Sequence, residues 1–291
     1  MLKKWTALFL LIVCLLSATQ GESVRKVYRV GEAAPFAADA QTLDLYVCPL
    51  GGADCMIVTA QGQSMLVDMG KTTDAGVIAG LLRELDIARV DIAFNTHPHD
   101  DHIGGIRRLV EDFEFGAFMT AFPEDFVAPD SEQQITLPIL REAGVPIQVV
   151  ADGDVFSLGD ARVTVMRQGG SNPNLNQMSA VLKIEFGACS VLLTADILGV
   201  TQQHLAERYD LKSDILKYPH HGIDNAMRVF MEAVAPEYAF ITNNKYSSAA
   251  GQQSLGWFRI PFDYAMNGTI HLSTDGAYWL VEQRADTMKY R

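Results

Sequence analysis

A chain of 291 residues, 48% hydrophobic and 20% charged, is long enough to bury a sizeable core, and its composition is that of an ordinary globular protein of one or two domains. Its formal charge of −12 argues against a nucleic-acid binder, because polyanion recognition calls for a basic face and Arg25-Lys26 and Arg107-Arg108 are isolated pairs. After the first residues, no stretch is continuous and apolar enough to span a membrane.

Residues 1–21 carry Lys3 and Lys4, an apolar run from Trp5 to Leu16 and a small, polar ending, the layout of a secretory signal peptide. The run is well short of the ~20 residues that cross a bilayer. An uncleaved N-terminal membrane anchor is the competing reading. Val13 stands before Cys14 where a lipidation signal wants a small residue. Residues 22–41 are polar, alanine-rich and aperiodic, a leader or linker, and residues 42–291 form the folded domain. The mature chain is then expected outside the cytoplasm with no stable membrane insertion.

Strands are expected at Thr42–Cys48, Cys55–Ala60 and Ser64–Asp68, with Gln61-Gly62 as a turn. Val77, Ile78, Leu81, Leu82 and Leu85 share one face of a helix over Thr73–Leu85, capped by Thr72 or Thr73. Val90–Asn95 is a strand, and Ser131–Ala143, Ala195–Arg208 and Asn225–Ala233 read as helices. Further strands fall at Ala161–Met166, Ala180–Phe186, Ser190–Thr194, Asp214–Tyr218, Tyr238–Thr242, Thr269–Ser273 and Tyr278–Glu282. Cys48 and Cys55 flank a short loop, either as a disulfide in an oxidising compartment or as two small buried residues. Cys189 and His204 read as structural and solvent-facing, and His271 as a half-buried strand residue.

The densest chemistry lies at Thr96-His97-Pro98-His99-Asp100-Asp101-His102, which reads HxHxDH. In an extended segment His97 and His99 point the same way, while Asp101 and His102 turn toward a second position. Imidazole and carboxylate suit zinc, and a shared carboxylate holds two metals ~3.5–4 Å apart in hydrolytic sites.

HxHxDH is the signature of the metallo-β-lactamase superfamily, and the rest of the chain resembles that family in order. Ser64-Met65-Leu66-Val67-Asp68-Met69-Gly70 is similar to its strand ending in aspartate and glycine, which makes Asp68 a support for the metal-site histidines. Val191-Leu192-Leu193-Thr194-Ala195-Asp196 resembles the strand that delivers the bridging aspartate. Asp214-Ile215-Leu216-Lys217-Tyr218-Pro219-His220-His221-Gly222 resembles the last ligand motif. The loop with Gly51-Gly52-Ala53-Asp54, the doubled histidine, Asn243-Asn244-Lys245-Tyr246 and Asn267-Gly268-Thr269-Ile270 look like the ComEC-like hydrolase branch, which is related to secreted phosphorylcholine esterases. The resemblance implies an α/β fold, the four-layer αββα sandwich.

It also implies a site. His97 and His99 anchor a first metal, Asp101, His102 and one of His220 or His221 bind a second, and Asp196 bridges. Which of the paired histidines is the ligand stays open. Asp101 is a candidate to orient the attacking water, and the spare histidine to protonate the leaving group. Many members supply a further histidine between the first motif and the bridging aspartate, yet none occurs here from Ile103 to Gln203. Asn176, within Ser171–Ala180, is placed nearest that position, or those asparagines simply make a turn. One or two zinc ions are expected, with manganese as the alternative. Asn244 and Tyr246 are candidate substrate contacts.

The expected function is secreted metal-dependent hydrolysis of a phosphodiester or related phosphoryl ester. The acidic surface suits a small-molecule or zwitterionic substrate better than nucleic acid. Hydrolysis of lactams, lactones or thioesters is the rival within enzymes, because fold does not fix substrate. A non-catalytic, metal-containing extracellular binding module is the rival outside them.

Overall fold

A computed structural model describes residues 25–168 and 174–285. The expected signal segment, residues 1–21, and Ser171-Asn172-Pro173 lie outside the described residues. Among the described residues, a nine-stranded sheet runs from edge to edge as β1 (Val27–Arg29), β16 (Trp279–Gln283), β15 (Ile270–Thr274), β2 (Leu43–Val47), β3 (Met56–Ala60), β4 (Gln63–Val67), β5 (Arg89–Asn95), β6 (Glu114–Thr120) and β7 (Ile147–Val149). A seven-stranded sheet runs as β14 (Phe262–Tyr264), β13 (Tyr238–Ile241), β12 (Ile215–Lys217), β11 (Cys189–Leu193), β10 (Val181–Phe186), β9 (Ala161–Met166) and β8 (Val155–Leu158).

Each sheet is antiparallel in one part and parallel in the other. The parallel runs are β4 to β7 and β11 to β14, and β1 adds a parallel pair with β16 at the other edge of the first sheet. Parallel neighbours need a crossover, and helices supply it. In the first sheet these are α1 (Ala75–Glu84), the short α2 (Asp100–Ile103) and α3 (Ile106–Leu109), and α4 (Gln133–Glu142). In the second they are α5 (Gly199–Arg208), α6 (Arg228–Val234) and α7 (Ala249–Phe258).

Three apolar clusters give the layers. Strand alternation sends Leu43, Leu45 and Val58 inward from the first sheet, against Leu182, Ile184, Val191 and Leu193 of the second. On the outer face of the first sheet, Ile57 and Leu66 pack with Ile78, Leu81 and Leu82 of α1, Ile103, Ile106, and Leu137 and Leu140 of α4. Outside the second, Leu192 and Leu216 pack with Leu205, Phe230, Met231 and Leu255. The result is the expected αββα sandwich.

Several details differ from the sequence expectation. Val27–Arg29, inside the expected leader, pairs in parallel with β16, and Glu237 Oε2 accepts the backbone N–H groups of Lys26 and Val27 at 2.7 and 3.1 Å. β6, β7, β8, β14 and α7 have no counterpart among the elements expected from the sequence. The helix expected from Ala195 starts at Gly199, because Ala195 takes a left-handed φ of 47° in the turn that presents Asp196. The turn before α1 is closed by Asp74, whose Oδ2 accepts the Lys71 N–H at 2.9 Å, while Thr72 donates to Gly104 O. Cys48 and Cys55 are buried free thiols, which is the second of their two readings.

Packing at the end of β4 depends on glycine. A Cβ at Gly105 would sit 1.9 Å from Met69 O, so α2 and α3 approach the Asp68-Met69-Gly70 turn only because that position has no side chain. Gly105 N–H donates to Gly70 O at 3.0 Å, and Met69 N–H donates to His102 O at 2.8 Å. Gly105→Ala is expected to destabilise the fold by about 1–3 kcal/mol, the range for overpacking a core. In a thermal melt this appears as a Tm lower by roughly 2–4 °C for each kcal/mol. An unchanged Tm would refute the close approach.

Candidate metal centre

The parallel strands of both sheets deliver their C-terminal ends to one place. β4 runs into Asp68, β5 into Thr96 and His97, β11 into Asp196, and β12 into His220 and His221. Buried side chains of opposite sheets meet there. His102 Nε2 lies 3.2 Å from Asp196 Oδ2, and His221 Nε2 lies 3.3 Å from the same oxygen.

Two groupings emerge around Asp196. His97 Nε2 and His99 Nδ1 stand 3.0 Å apart and mark a first position. Ligand atoms of Asp101, His102 and His221 fall within 4.8 Å of one another and mark a second. Those of His97, His102 and Asp196 also meet within 4.8 Å, which places Asp196 between the two. The His97 and His99 rings are thus neighbours, while Asp101 and His102 lie on α2.

The structure separates the paired histidines. His221 is 2% exposed and turns into the second position, with Asp101 Oδ2 3.5 Å from its Nε2. His220 is more open, its Nε2 3.3 Å from Asn176 Nδ2 and 3.9 Å from Asp196 Oδ2. Both residues have left-handed backbone, φ 47° and 50°, which costs of order 1–3 kcal/mol each and is typical of functional sites.

The polar frame joins Asp68, the support expected from the sequence, to groups the sequence did not assign to the site. Asp68 accepts the Thr96 N–H at 2.8 Å and the Thr96 hydroxyl at 2.7 Å, and its Oδ2 lies 2.7 Å from His102 Nδ1. Thr96 is therefore a missed support. Asp54 is fully buried, 2.5 Å from Lys217 Nζ and 3.1 Å from His221 Nδ1. Lys217 also donates to Ala195 O at 2.8 Å and stands 3.5 Å from Asp196 Oδ1. A lysine inside the buried strand Ile215–Lys217 was the available signal, since lysine is almost never fully buried unless paired. His220 Nδ1 lies 2.6 Å from Asp224 Oδ2.

The electrostatics fit a divalent cation. Burial pushes His97 and His99 below the ordinary imidazole range, which keeps their nitrogens neutral and able to ligate. Burial also works against a charge on His102 and His221, yet Asp196 with Asp68 raises the first, and Asp196 with Asp54 raises the second to about 10. Asp196 is held well below the carboxylate range: burial opposes this, but His221, His102 and Lys217 outweigh it. The same nitrogens that hold protons so firmly are those a divalent cation would claim, so binding would release protons. The buried His221 Nε2 and Asn176 Oδ1 make no hydrogen bond within the protein. Histidine and carboxylate donors in this number suit zinc, manganese or iron.

The other sequence candidates lie around this core. Asn176 is 9% exposed and beside His220, in the short helical turn Leu175–Met178 capped by the Asn174 side chain, so it serves both as part of a turn and as a wall of the site. Asn244 spends its amide within its own loop, accepting the Tyr246 and Ser247 N–H groups at 2.8 and 3.1 Å. Tyr246 is 83% exposed. His271 pairs with Asp44 at 2.7 Å and stacks on Tyr46 in the first sheet, outside the histidine cluster.

Asp68→Asn tests the frame. It keeps the shape and weakens the hold on His102 Nδ1, so metal affinity is expected to fall about 10- to 100-fold. Competition with a chelator measures it, and an unchanged affinity would remove Asp68 from the site.

An αββα sandwich that gathers HxHxDH, a central aspartate and a late histidine at its strand ends defines a metallo-hydrolase centre. The chain belongs to the Metallo-beta-lactamase superfamily, whose Lactamase_B profile matches residues 48–241. It is similar to ComE operon protein 3 of Bacillus subtilis (strain 168), with 28% identity over 221 residues, 68% of this chain and 28% of that protein. That likeness supports the ComEC-like branch, although this chain spans little more than a quarter of that relative's length. Among solved structures, the metallo-beta-lactamase fold protein YhfI from Bacillus subtilis aligns with a TM-score of 0.54 at 13% identity, covering 77% of this chain and 96% of that one. CmlA, a diiron beta-hydroxylase from Streptomyces venezuelae, aligns at 0.51 and 17% identity, covering 78% and 52%. Among the described residues, no helix is long and apolar enough to cross a membrane.

Proposed function

We propose that this chain is an exported hydrolase of phosphoryl esters, phosphodiesters foremost, working with two divalent cations, zinc or manganese. The observation that carries the reading is the position of Asp196 Oδ2, which faces His102 and His221 at 3.2 and 3.3 Å and joins His97 in one ligand group. Such an arrangement suits a centre that clamps both the attacking and the leaving oxygen. Bound cations would supply Lewis acidity, lower the pKa of a water toward ~7 and neutralise charge on a phosphoryl group.

The chain's own groups divide the remaining work. His97 and His99 would hold the first position, and Asp101, His102 and His221 the second. Asp68 fixes the ring orientation and tautomer of His102. Thr242 Oγ1, 3.0 Å from His221 Nδ1, does the same for His221, with Asp54 3.1 Å from that nitrogen, and Lys217 keeps Asp54 from adding uncompensated charge. The Asp101 side chain is 28% exposed against 3% for Asp196, so Asp101 is the carboxylate placed to accept a proton from an incoming water. Tyr246 offers an exposed ring to a substrate, whereas Asn244 would reach one only by giving up its loop bonds.

A chain with formal charge −12 repels polyanions at long range, which favours a small or zwitterionic phosphoester over DNA. The fold also carries other chemistry, as the beta-hydroxylase CmlA illustrates. The test is a panel of chromogenic phosphodiester, phosphomonoester, lactam, lactone and thioester substrates at equal metal occupancy. Fastest turnover is expected on the phosphodiester. Faster turnover on another bond type would replace this reading, and metal-loaded protein inert on every member would favour a binding module.

A further inference from the structure

His97 and His99 make an incomplete first position. The third histidine of the common pattern is missing, since none occurs between His102 and His204. Its place is approached from the other sheet. His220 Nε2 lies 3.9 Å from the central Asp196 Oδ2 and 3.3 Å from the Asn176 amide nitrogen, while Asn176 Oδ1 is buried without a hydrogen bond. The amide oxygen and nitrogen of an asparagine are nearly equal in size and exchange places by a half-turn of the amide, so either atom of Asn176 can face His220.

Two further features set His220 apart from a spare side chain. Its Nδ1 lies 2.6 Å from Asp224, as His102 Nδ1 lies 2.7 Å from Asp68 and His221 Nδ1 lies 3.1 Å from Asp54. Carboxylate on Nδ1 is the arrangement that fixes a ligating histidine with its Nε2 lone pair free. Consecutive side chains on a strand would point to opposite faces. The left-handed backbone at both His220 and His221 instead brings both rings to Asp196, their Nε2 atoms 3.9 and 3.3 Å from its Oδ2.

We propose that His220, backed by Asp224 and flanked by Asn176, supplies the third ligand of the first position, so that adjacent histidines serve two different cations. This rests on the metal-hydrolase reading and deepens it. A neighbouring imidazole thus replaces the histidine that the sequence lacks, and the first position is completed only when the two sheets are assembled.

The test is cobalt titration of the purified full-length chain, followed by visible absorption and by chelator competition. The original protein is expected to bind two equivalents. His220→Ala should keep one tight equivalent, with the second weakened more than about 100-fold and its share of the cobalt spectrum lost. Asp224→Asn, which preserves shape and guards against a folding failure of the first variant, should weaken that same equivalent about 10- to 100-fold. Two equivalents at unchanged affinity and an unchanged spectrum in both variants would overturn the assignment while leaving the hydrolase reading intact. An original protein that binds no cobalt would overturn both.

Discussion

Replacing Asp196 by alanine is expected to cut turnover by at least about a thousandfold, even with metal in excess. The carboxylate is 2% exposed, its Oδ2 neighbours His102 and His221, and its ligand group also takes in His97, so on the two-cation proposal its loss removes the ligand shared by both positions. Metal-borne stabilisation of a transition state amounts to several kcal/mol, and each 1.36 kcal/mol is about tenfold in rate. Two measurements separate the causes. Steady-state kinetics on the best substrate gives the loss, and elemental analysis of the same sample shows whether a cation left with it. Full turnover at full occupancy in Asp196→Ala would remove the aspartate from the mechanism.

The largest effect on stability is expected at Lys217. Its ammonium group is fully buried, 2.5 Å from Asp54 and 3.5 Å from Asp196. Burial alone would lower its pKa, but Asp54 and then Asp196 raise it, so the lysine stays charged inside the core. Lys217→Met fits the strand between Leu216 and Tyr218 yet takes from Asp54 its nearest cation, leaving that buried carboxylate only the His221 ring at 3.1 Å. Breaking a buried pair from one side costs about 3–5 kcal/mol. Adding Asp54→Asn removes the stranded charge, so the double variant is expected to recover much of that loss in denaturant unfolding. The coupling between the two changes is then the measured quantity. Equal losses that simply add would show that the pair is not the source.

Metal affinity should not recover in parallel. Asp54 also sets its charge 3.1 Å from His221 Nδ1, beside the Thr242 hydroxyl at 3.0 Å, so the double variant is expected to fold better than Lys217→Met and still bind the second cation poorly. Stability and function separate at this pair because Asp54 faces a cation on one side and a ligand on the other.

What the sequence disclosed follows the range of the interactions. HxHxDH was legible because its spacing acts within one strand end and one helical turn, and the fold class followed once four motifs stood in order. How His220 and His221 divide the site was not legible, because it depends on two consecutive left-handed residues that bring both rings to one side. Asp54 was noticed as part of a glycine-rich loop, yet its partner Lys217 lies on the other sheet, and no local pattern links them. β1 escaped for a similar reason: three residues gain their pairing from β16 at the far end of the chain. β6 was obscured by Gly116, which belongs there because a Cβ would come within 2.5 Å of Asp91 O.

Elemental analysis of the purified chain, after loading with zinc or manganese and removal of excess, tests most directly whether two cations are held between the sheets. About two divalent ions per chain, lost on chelation and regained on reloading, is the predicted result. No retained metal under any of these conditions would contradict it and leave the buried histidines and carboxylates as a charge network without a catalytic cation.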